Sequence, residues 1–549
     1  MALGFFESTP DALRAHFAPL TPLSFLPRAA MLYPDRVALV HGALRQTWRE
    51  THDRCLRLAS ALRSRGIGRG DIVAIIAPNT PAMYEAHFGV PMAGAVLNTL
   101  NTRLKAEEIA FQLAHSGARM LLADCEFAET VVSAIAMLPH PPIVVDIDDA
   151  LHSGTGVRAG QRDYEALLAE GATGGEWAPP EDEREPIALN YTSGTTGDPK
   201  GVVTHHRGAH LNALAQIITW SMPQNPVYLW TLPMFHCNGW CFPWAIAAQG
   251  GTNICVRRID PPAVIDLIEA HEVSHMCGAP IVYAMLVDEL GKRARILSHP
   301  VRGLVAGAAP PSALIEGCER SGFDLTHVYG LTEVYGPAAV CVKQPGWAEK
   351  SAEERARLNA RQGVAMISQE AMRVLDPETM TPVPADGETV GEIMFRGNAT
   401  MSGYLHNPDA TTEAFAGGWF HTGDLAVLDP DGYARITDRS KDVIISGGEN
   451  ISSIEVEDVL HQHAAVLIAA VVAKPDARWG EVPCAFVEVR DGHAVNAAEL
   501  ESFCRLHLAG FKTPKDFIFG IIPKTSTGKV QKIYLREQAR KLGEEVGGG

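Results

Sequence analysis

Several features that would mark a membrane, secreted or disulfide-stapled protein are absent from this sequence. No apolar run approaches the roughly 18 to 20 residues that span a bilayer. No basic segment followed by an apolar core stands near the N-terminus, so a signal peptide is not indicated. The ten cysteines show no framework spacing, which argues for a reducing compartment. We therefore expect a cytoplasmic protein without a transmembrane segment.

Positive charge is also scarce. The chain carries 47 lysines and arginines against 64 aspartates and glutamates, a formal net charge of −17. Such a balance argues against nonspecific binding to nucleic acid or to an anionic membrane surface. It leaves room for a local basic pocket that binds an anionic small molecule. We predict small-molecule partners and no nucleic acid.

The chain is long enough for more than one domain. Its 549 residues exceed what one hydrophobic core supports. Apolar runs of strand length alternate with helical segments, a pattern that predicts parallel sheets with helices on their faces. The last part of the chain has a separate small pattern of helices and strands. We predict an α/β protein with a large N-terminal domain of layered sheets and a smaller β-subdomain over residues 1–438. A small, mobile α+β domain is predicted over 439–549.

A loop rich in glycine and hydroxyl groups follows an apolar segment. Residues 191–201, YTSGTTGDPKG, contain three glycines, four hydroxyl side chains of serine and threonine, and one lysine. Their spacing differs from the common ATP loop G-x-x-x-x-G-K-[ST]. Inward-facing amides with hydroxyls and a lysine form an anion site. Composition alone also allows a flexible surface turn.

The loop resembles the phosphate-binding signature of the adenylate-forming superfamily, which includes acyl-CoA synthetases, peptide-synthetase adenylation domains and firefly luciferases. Further motifs of that family follow in the expected order. They are AGAAP (306–310), VYGLTE (328–333), HTGDLAVLD (421–429), ITDRSKD (436–442) and PKTSTGKVQK (523–532). The resemblance therefore spans nearly the whole chain.

The resemblance implies a nucleotide site with Mg²⁺ held by Glu333, adenine against Tyr329 and the ribose gripped by Asp424. It assigns ATP and AMP binding to Thr192, Ser193, Gly194, Thr195, Thr196, Gly197, Lys200, Gly307, Ala308, Ala309, Tyr329, Gly330, Thr332, Asp424, Arg439 and Lys529. It assigns catalysis to Lys529, Glu333, Thr196 and His236, with the Lys529 charge stabilising the transition state at the α-phosphate.

The segment 229–244, LWTLPMFHCNGWCFPW, resembles the P-M-F-H region of fatty acyl-CoA synthetases. The resemblance places the acid substrate near His236, Trp240, Gly307 and Gly330, with Trp240 at a gating position. Amino-acid-activating relatives carry an aspartate at the corresponding place, and this segment has no acidic residue, so a neutral aliphatic or aryl carboxylic acid is favoured. Trp240 and the crowded aromatic residues favour a short or medium chain, and a longer tunnel would require the tryptophan to swing. The aromatic residues are also compatible with plain core packing.

The resemblance implies an AMP-forming acid–thiol ligase of fatty-acid metabolism that uses ATP, Mg²⁺ and CoA. The C-terminal domain is expected to rotate about a hinge at Lys441 and to bring Gly447 and Gly448 to a CoA tunnel. One alternative is an adenylating enzyme that loads a carrier-protein phosphopantetheine or an amine. Another is a catalytically idle nucleotide-binding protein. Relatives also suggest a homodimer.

Overall fold

Strands and helices alternate in the large domain as predicted. The computed structural model describes residues 16–547 except 153–155, 175–176, 193–198, 308–309, 477, 491 and 525–529. The strand Ile72–Ile76 leads into the helix Pro81–Met92. Thr80 caps this helix by accepting a hydrogen bond from the Met83 amide, and proline occupies the first helical position.

A nine-stranded mixed sheet forms one layer of the large domain. Its strands are β1 (Val37–His41), β2 (Leu44–Thr47), β10 (Val227–Trp230), β11 (Thr252–Cys255), β12 (His275–Gly278), β13 (Val301–Val305), β14 (Phe323–Leu331), β15 (Gly336–Val340) and β16 (Val364–Ala365). Their spatial order is β16-β15-β14-β13-β12-β10-β11-β1-β2. The strands from β14 to β1 run parallel to one another. The pairs β1–β2, β14–β15 and β15–β16 are antiparallel.

An eight-stranded mixed sheet forms a second layer. It contains β3 (Ile72–Ile76), β4 (Val96–Thr99), β5 (Met120–Asp124), β6 (Ile143–Ile147), β7 (Arg162–Asp163), β8 (Pro186–Thr192), β9 (Lys200–His205) and β19 (Gly403–Tyr404). Their order is β19-β9-β8-β4-β3-β5-β6-β7. The antiparallel hairpin of β8 and β9 carries the loop at residues 193–198, which lies outside the described residues.

Two smaller sheets complete the fold. The antiparallel β-subdomain consists of β17 (Ala371–Leu375), β18 (Gly391–Arg396), β20 (Phe420–Leu428) and β21 (Ala434–Arg439). The C-terminal sheet contains β22 (Ile444–Ser446), β23 (Glu449–Ile451), β24 (Val466–Asp476), β25 (Gly480–Val489) and β26 (Asp516–Phe519). The protein is thus an α/β protein with a smaller α+β domain at its C-terminus, and this prediction is confirmed. The boundary at 438/439 stays a prediction.

Helices surround the strands. They are α1 (Phe25–Leu32), α2 (Trp48–Ser64), α3 (Pro81–Met92), α4 (Ala106–Ser116), α5 (Ala128–Ile135), α6 (Tyr164–Glu170), α7 (His206–Thr219), α8 (Phe242–Ala248), α9 (Pro261–His271), α10 (Pro280–Lys292), α11 (Ser312–Ser321), α12 (Ala352–Asn359), α13 (Pro408–Ala414), α14 (Ser453–His461), α15 (Ala497–His507) and α16 (Lys532–Gly547). Among the residues that the structure describes, none of the helices combines the length and apolarity required to cross a bilayer.

The largest buried cluster joins the two large sheets. It combines side chains from strands of both sheets with those of α2, α3 and α8, including the fully buried Trp48, Trp230 and Trp244. The C-terminal domain has a separate core built on Ile444, Val471 and neighbouring side chains. Its helix α15 begins after Asn496, whose side-chain oxygen accepts a hydrogen bond from the Glu499 amide.

Candidate active site

The ends of the β8–β9 hairpin position the predicted phosphate loop. Thr192 pairs with Lys200 across the two strands, and the Lys200 ammonium lies 4.8 Å from the centroid of the Tyr404 ring. The hairpin therefore brings Lys200, the lysine of the motif, next to the strand β19. Five predicted phosphate contacts lie outside the described residues: Ser193, Gly194, Thr195, Thr196 and Gly197.

Glu333 presents a buried carboxylate beside this hairpin. The Tyr404 hydroxyl donates a hydrogen bond to Glu333 Oε1 at 3.0 Å, and the Met401 amide donates to the Glu333 carbonyl at 2.7 Å. Burial raises the pKa of the Glu333 carboxyl, while the Tyr404 hydrogen bond and the charges of Arg439 and Lys200 act in the opposite direction. The carboxylate is thus held in place and surrounded by cations, although it is desolvated.

Tyr329, Asp424 and Arg439 form one connected group. The Tyr329 hydroxyl donates to Asp424 Oδ2 at 2.6 Å, and Arg439 Nε lies 2.8 Å from Asp424 Oδ1. Asp424 and Arg439 face each other as partners on the antiparallel strands β20 and β21, which explains how residues 15 positions apart meet. Asp424 is only 3% exposed. Its charge is therefore compensated on both oxygens.

The strand that carries Tyr329 approaches β15 closely. A Cβ atom on Gly330 would lie 1.8 Å from the Gly336 carbonyl oxygen, so only glycine fits at this position. The Tyr329 ring stacks on Phe395 with centroids 6.1 Å apart. Burial, assisted by the Asp424 charge, raises the pKa of the Tyr329 hydroxyl well above its ordinary value. This phenol therefore acts as a neutral hydrogen-bond donor to Asp424.

The P-M-F-H segment is anchored by buried polar side chains from the other sheet. Asn79 accepts a hydrogen bond from the Met234 amide at 2.7 Å and donates to the Trp230 carbonyl at 2.8 Å. The Thr99 hydroxyl donates to the Phe235 carbonyl at 2.8 Å. These bonds fix the chain up to the residue before His236.

The residues that follow form a left-handed turn. The φ angles of Cys237, Asn238, Gly239, Trp240 and Cys241 are 43°, 43°, 55°, 56° and 64°. Four of these five residues have a Cβ atom, and a left-handed conformation costs such residues roughly 1–2 kcal/mol each. Backbone strain of this kind persists only where the surroundings over-determine it, and it clusters at functional sites.

This turn connects the acid side of the predicted site to the nucleotide side. Cys237 Sγ lies 3.8 Å from His236 Nε2 and 3.4 Å from Thr332 Oγ1. Thr332 directly precedes Glu333 in the sequence. The Cys237 thiol therefore contacts both His236, which is predicted to bind the acid, and Thr332, which is predicted to bind phosphate.

Trp240 packs against the strand β15. It is 5% exposed, and a Cβ atom on Gly336 would lie 2.7 Å from its ring atom Cδ1. Gly336 itself has a φ of +93°. The sequence left open whether Trp240 lines the acid site or packs in the core, and its burial is compatible with both. Cys241 is buried, and the described residues contain no group of three or more metal-ligating side chains.

The predicted hinge follows the last strand of the β-subdomain. Burial, and to a lesser degree the charges of Arg439 and Arg536, lower the pKa of the Lys441 ammonium to about 8. Arg536 of α16 forms an ion pair with Asp442, the next residue in the chain. Gly447 and Gly448 form the turn of the β22–β23 hairpin with φ angles of 61° and 89°.

The structure places some predicted residues and leaves others outside its described part. Gly307 follows β13 with a φ of +90°, whereas Ala308, Ala309 and Lys529 lie outside the described residues. Sequence reasoning missed Tyr404, which contacts both Lys200 and Glu333. A lone tyrosine after a glycine carries no spacing signal, and only the pairing of β19 with β9 brings it to the site.

Comparison with known proteins identifies the class. The chain matches the AMP-binding enzyme family over residues 26–405 and the AMP-binding enzyme C-terminal domain over residues 455–529. It therefore belongs to the AMP-binding enzyme family, as the motifs predict. Within that family it is an AMP-forming acid–thiol ligase, an acyl-CoA synthetase, which uses ATP to activate a carboxylic acid and transfers the acyl group to CoA.

Similar proteins include ligases from plants. The chain is 50% identical to an acetate/butyrate–CoA ligase of Arabidopsis thaliana named as peroxisomal, over 96% of each chain. It is 47% identical to a 2-methylpropanoate–CoA ligase of Humulus lupulus, over 97% of this chain and 98% of that one. Among solved structures, an o-succinylbenzoate CoA synthetase of Bacillus subtilis in complex with its acyl-adenylate is 28% identical. Its TM-score is 0.79, with 94% of this chain and 97% of that chain covered.

Proposed function

We propose that this ligase activates a short-chain neutral carboxylic acid and releases AMP and pyrophosphate as it forms the CoA thioester. The observation that carries the proposal is the contact between Cys237 Sγ and Thr332 Oγ1 at 3.4 Å. This contact joins the segment after His236, which contains no acidic residue, to the motif that carries Glu333. An acid bound on one side would therefore lie next to phosphate bound on the other, which is the geometry that adenylation requires.

We propose the nucleotide roles that the family resemblance implies. The loop from Thr192 to Lys200 would hold the β- and γ-phosphates, and Asp424 would accept hydrogen bonds from the ribose hydroxyls. Tyr329 would lie against adenine and Arg439 beside the ribose or phosphate. Ligand binding at Asp424 competes with its present partners, so we expect the Tyr329 hydroxyl or Arg439 to shift when nucleotide binds.

The chemistry is then an in-line displacement. A carboxylate oxygen of the substrate attacks the α-phosphorus, and pyrophosphate leaves from the side of the loop. The Lys529 charge would stabilise the developing charge on the α-phosphate, and Thr196 would hold a phosphate oxygen. His236 would orient the substrate carboxylate. The thiol of CoA then attacks the acyl carbon, and AMP leaves with the electrons of the broken bond.

The residues present fit a magnesium ion that arrives with the nucleotide. Mg²⁺ is usually held by one or two carboxylates together with substrate phosphates, and Glu333 would supply one anchored carboxylate close to the β8–β9 hairpin that carries Lys200. Bound there, Mg²⁺ neutralises the triphosphate so that an anionic acid can approach. The hydrogen bond from Tyr404 fixes the orientation of the Glu333 carboxylate.

The proposed size of the acid rests on the region around Trp240. The turn offers no acidic side chain to pair with an ammonium group, and its tryptophan is packed tightly on Gly336. Gly307 and Gly330 would line the remaining walls without side-chain bulk. Relatives are named for acetate, butyrate and 2-methylpropanoate, whereas another at 47% identity is named for trans-cinnamate. We infer a preference for short aliphatic acids. Faster turnover of an aryl acid would change the proposed substrate class.

The thioester step would use the other domain. We propose that the region 439–549 turns about Lys441 after adenylation and brings the Gly447–Gly448 turn to the site. Closely approaching backbone at two glycines can form the wall of a narrow tunnel. The Gly447 amide donates to the Trp479 carbonyl at 2.7 Å, which braces this turn.

One assay tests the proposal directly. AMP and pyrophosphate would be measured for straight-chain acids of two to twelve carbons and for cinnamate, each with and without CoA. We expect acids of about two to four carbons to give the highest kcat/KM, with turnover dependent on CoA. Equal turnover without CoA, or transfer only to a carrier protein or an amine, would replace the CoA ligase by the alternative adenylating enzyme.

Location and assembly are separate proposals. We keep the cytoplasmic location and the homodimer as predictions from the sequence. A relative at 50% identity is named as peroxisomal, which favours a different compartment for that protein. Cell fractionation of the full-length chain tests the first prediction, and light scattering of the purified protein tests the second.

A further inference from the structure

The thiol of Cys237 occupies an unusual position for a cysteine without an assigned role. Its Sγ atom lies between His236 Nε2 at 3.8 Å and Thr332 Oγ1 at 3.4 Å. Under the proposed function, His236 faces the substrate carboxylate and Thr332 faces phosphate. The thiol is therefore next to the carbon atoms at the carboxyl end of a bound acid.

The turn that presents this thiol also carries an unsatisfied polar side chain. Asn238 is 4% exposed, and neither its amide nitrogen nor its amide oxygen has a hydrogen-bond partner among the described residues. A buried polar atom without a partner destabilises the folded protein. Together with five consecutive left-handed residues, this is typical of a segment kept for binding a ligand.

We propose that Cys237 is a covalent modification site inside the acid-binding site, and that short 2-halo carboxylic acids alkylate it after binding as substrate analogues. The inference rests on the proposed function, because it requires that the site accept short acids. The chemical class follows from two needs. The reagent must carry a carboxylate for recognition, and it must carry an electrophilic carbon next to that carboxylate.

The reaction is a simple substitution. The Cys237 sulfur attacks C2 of the bound acid, a C–S bond forms, and the carbon–halogen bond breaks. The halide leaves with the electrons of that bond. The thiol proton passes to His236 Nε2, which lies 3.8 Å from the sulfur, and from there to solvent. The product is a carboxyalkyl thioether that occupies the acid site.

The other cysteines provide internal controls. Burial raises the pKa of the Cys241 thiol, which lies in the same turn, to about 12, and this suppresses its thiolate form. Cys125 is the half-exposed cysteine, and Arg158 donates a hydrogen bond to its sulfur at 3.3 Å. A reagent that acts from bulk solvent should therefore reach Cys125 first.

The experiment maps the labelled cysteine in the full-length enzyme. The protein is incubated with bromoacetate or 2-bromobutanoate, and in parallel with neutral iodoacetamide, and peptides are identified by mass spectrometry. We expect the bromo acids to label Cys237 with a rate that saturates with concentration and to abolish activity in proportion to the label. Butyrate at ten times its Kd should slow this labelling about tenfold. Iodoacetamide should label Cys125 preferentially.

Two variants sharpen the result. Cys237→Ser should remove the labelled peptide, whereas Cys241→Ser should keep it. Mapping of the unsubstituted enzyme decides the matter even if a variant fails to fold. Labelling that grows linearly with concentration, that butyrate does not slow, or that goes first to Cys125 would overturn the inference.

The proposed function is checked separately on unmodified enzyme. Exchange of pyrophosphate into ATP with butyrate reports adenylation without any label. Normal exchange combined with no labelling at Cys237 rejects the modification site and leaves the proposed function intact. Absence of exchange with every short acid rejects the proposed function itself, together with the inference that depends on it.

Discussion

The two ends of the site are built in opposite ways. At the proposed nucleotide end, both oxygens of Asp424 are engaged, by the Tyr329 hydroxyl and by Arg439 Nε. At the proposed acid end, the turn from Cys237 to Cys241 has five left-handed residues, and the side-chain amide of Asn238 has no hydrogen-bond partner within the described part of the chain. The charged groups around Asp424 are paired with one another. The turn around Asn238 instead has a strained backbone and a side-chain amide without a partner among the described residues.

This difference fits the two tasks. Every reaction of a ligase of this class uses the same nucleotide, so that end can be held by paired, desolvated charges. The acid is the part that varies among relatives, and contacts to it are expected where the backbone departs from regular structure. The strained turn is tolerated because Asn79 and Thr99 fix the chain just before it.

The largest expected effect comes from Lys529, which we propose acts on the α-phosphate of bound ATP. Lys529→Ala should lower the rate of adenylation by about 10²–10³-fold, since it removes the charge that stabilises the transition state. Thioester formation from a supplied acyl-adenylate should be largely spared. Both half-reactions would be measured by rapid quench. Lys524→Ala is the matched control, because its ammonium pairs with Glu488 at 2.9 Å. Equal loss in both half-reactions would contradict the two-state account.

The next effect isolates the nucleotide end. Asp424→Asn removes the charge from a carboxylate that contacts Tyr329 and Arg439. We expect KM for ATP to rise about 10- to 100-fold, because hydrogen bonds to charged groups contribute roughly 1.5–3 kcal/mol. KM for the acid should change little. Steady-state kinetics with each substrate varied would test this. Asp431→Asn, on a half-exposed partner of Arg361, should leave both constants near their original values.

A third variant isolates the acid end. Gly336→Ala would place a Cβ atom 2.7 Å from Trp240 and would strain a residue with a φ of +93°. We expect a loss of about 1–3 kcal/mol in the free energy of unfolding and a lower kcat/KM for acids, with KM for ATP unchanged. Denaturant unfolding and kinetics report the two effects. Gly346→Ala, with no heavy atom within 4 Å of its Cβ, is the control. A change confined to KM for ATP would contradict the proposal that the region around Trp240 and Gly336 binds the acid.

The smallest effect concerns the metal. Tyr404→Phe removes the hydroxyl that donates to Glu333 and that helps to lower the pKa of this carboxyl against the effect of burial. The pKa of Glu333 should therefore rise further, so a smaller fraction is ionised as pH falls. We expect the Mg²⁺ concentration for half-maximal activity to increase about fivefold, and more at acidic than at neutral pH. A titration with Mg²⁺ at several pH values measures this, and an identical curve for both proteins would contradict it.

Much of the site could be predicted from the sequence because its residues lie in contiguous motifs. Glu333, Asp424 and Arg439 stand at fixed places in short strings, and the structure brings them into one region. Tyr404 escaped because its role depends on the pairing of β19 with β9, which no local pattern signals. The sheet order of the large domain is likewise non-local.

The left-handed turn could not be predicted for a physical reason. Glycine and asparagine tolerate positive φ, but Cys237, Trp240 and Cys241 do not favour it. Their conformation is imposed by packing, such as the contact of Trp240 with Gly336. The sequence did not decide whether the aromatic residues of the segment 229–244 pack in the core or contact the substrate. Both roles favour the same large apolar side chains.

Isotope exchange between labelled pyrophosphate and ATP tests the central claim most directly, since it reports formation of the acyl-adenylate without CoA. We predict that label enters ATP only when a carboxylic acid and Mg²⁺ are present, and fastest with acids of about two to four carbons. Failure of label to enter ATP with any acid of the series would contradict the claim that this protein makes an acyl-adenylate.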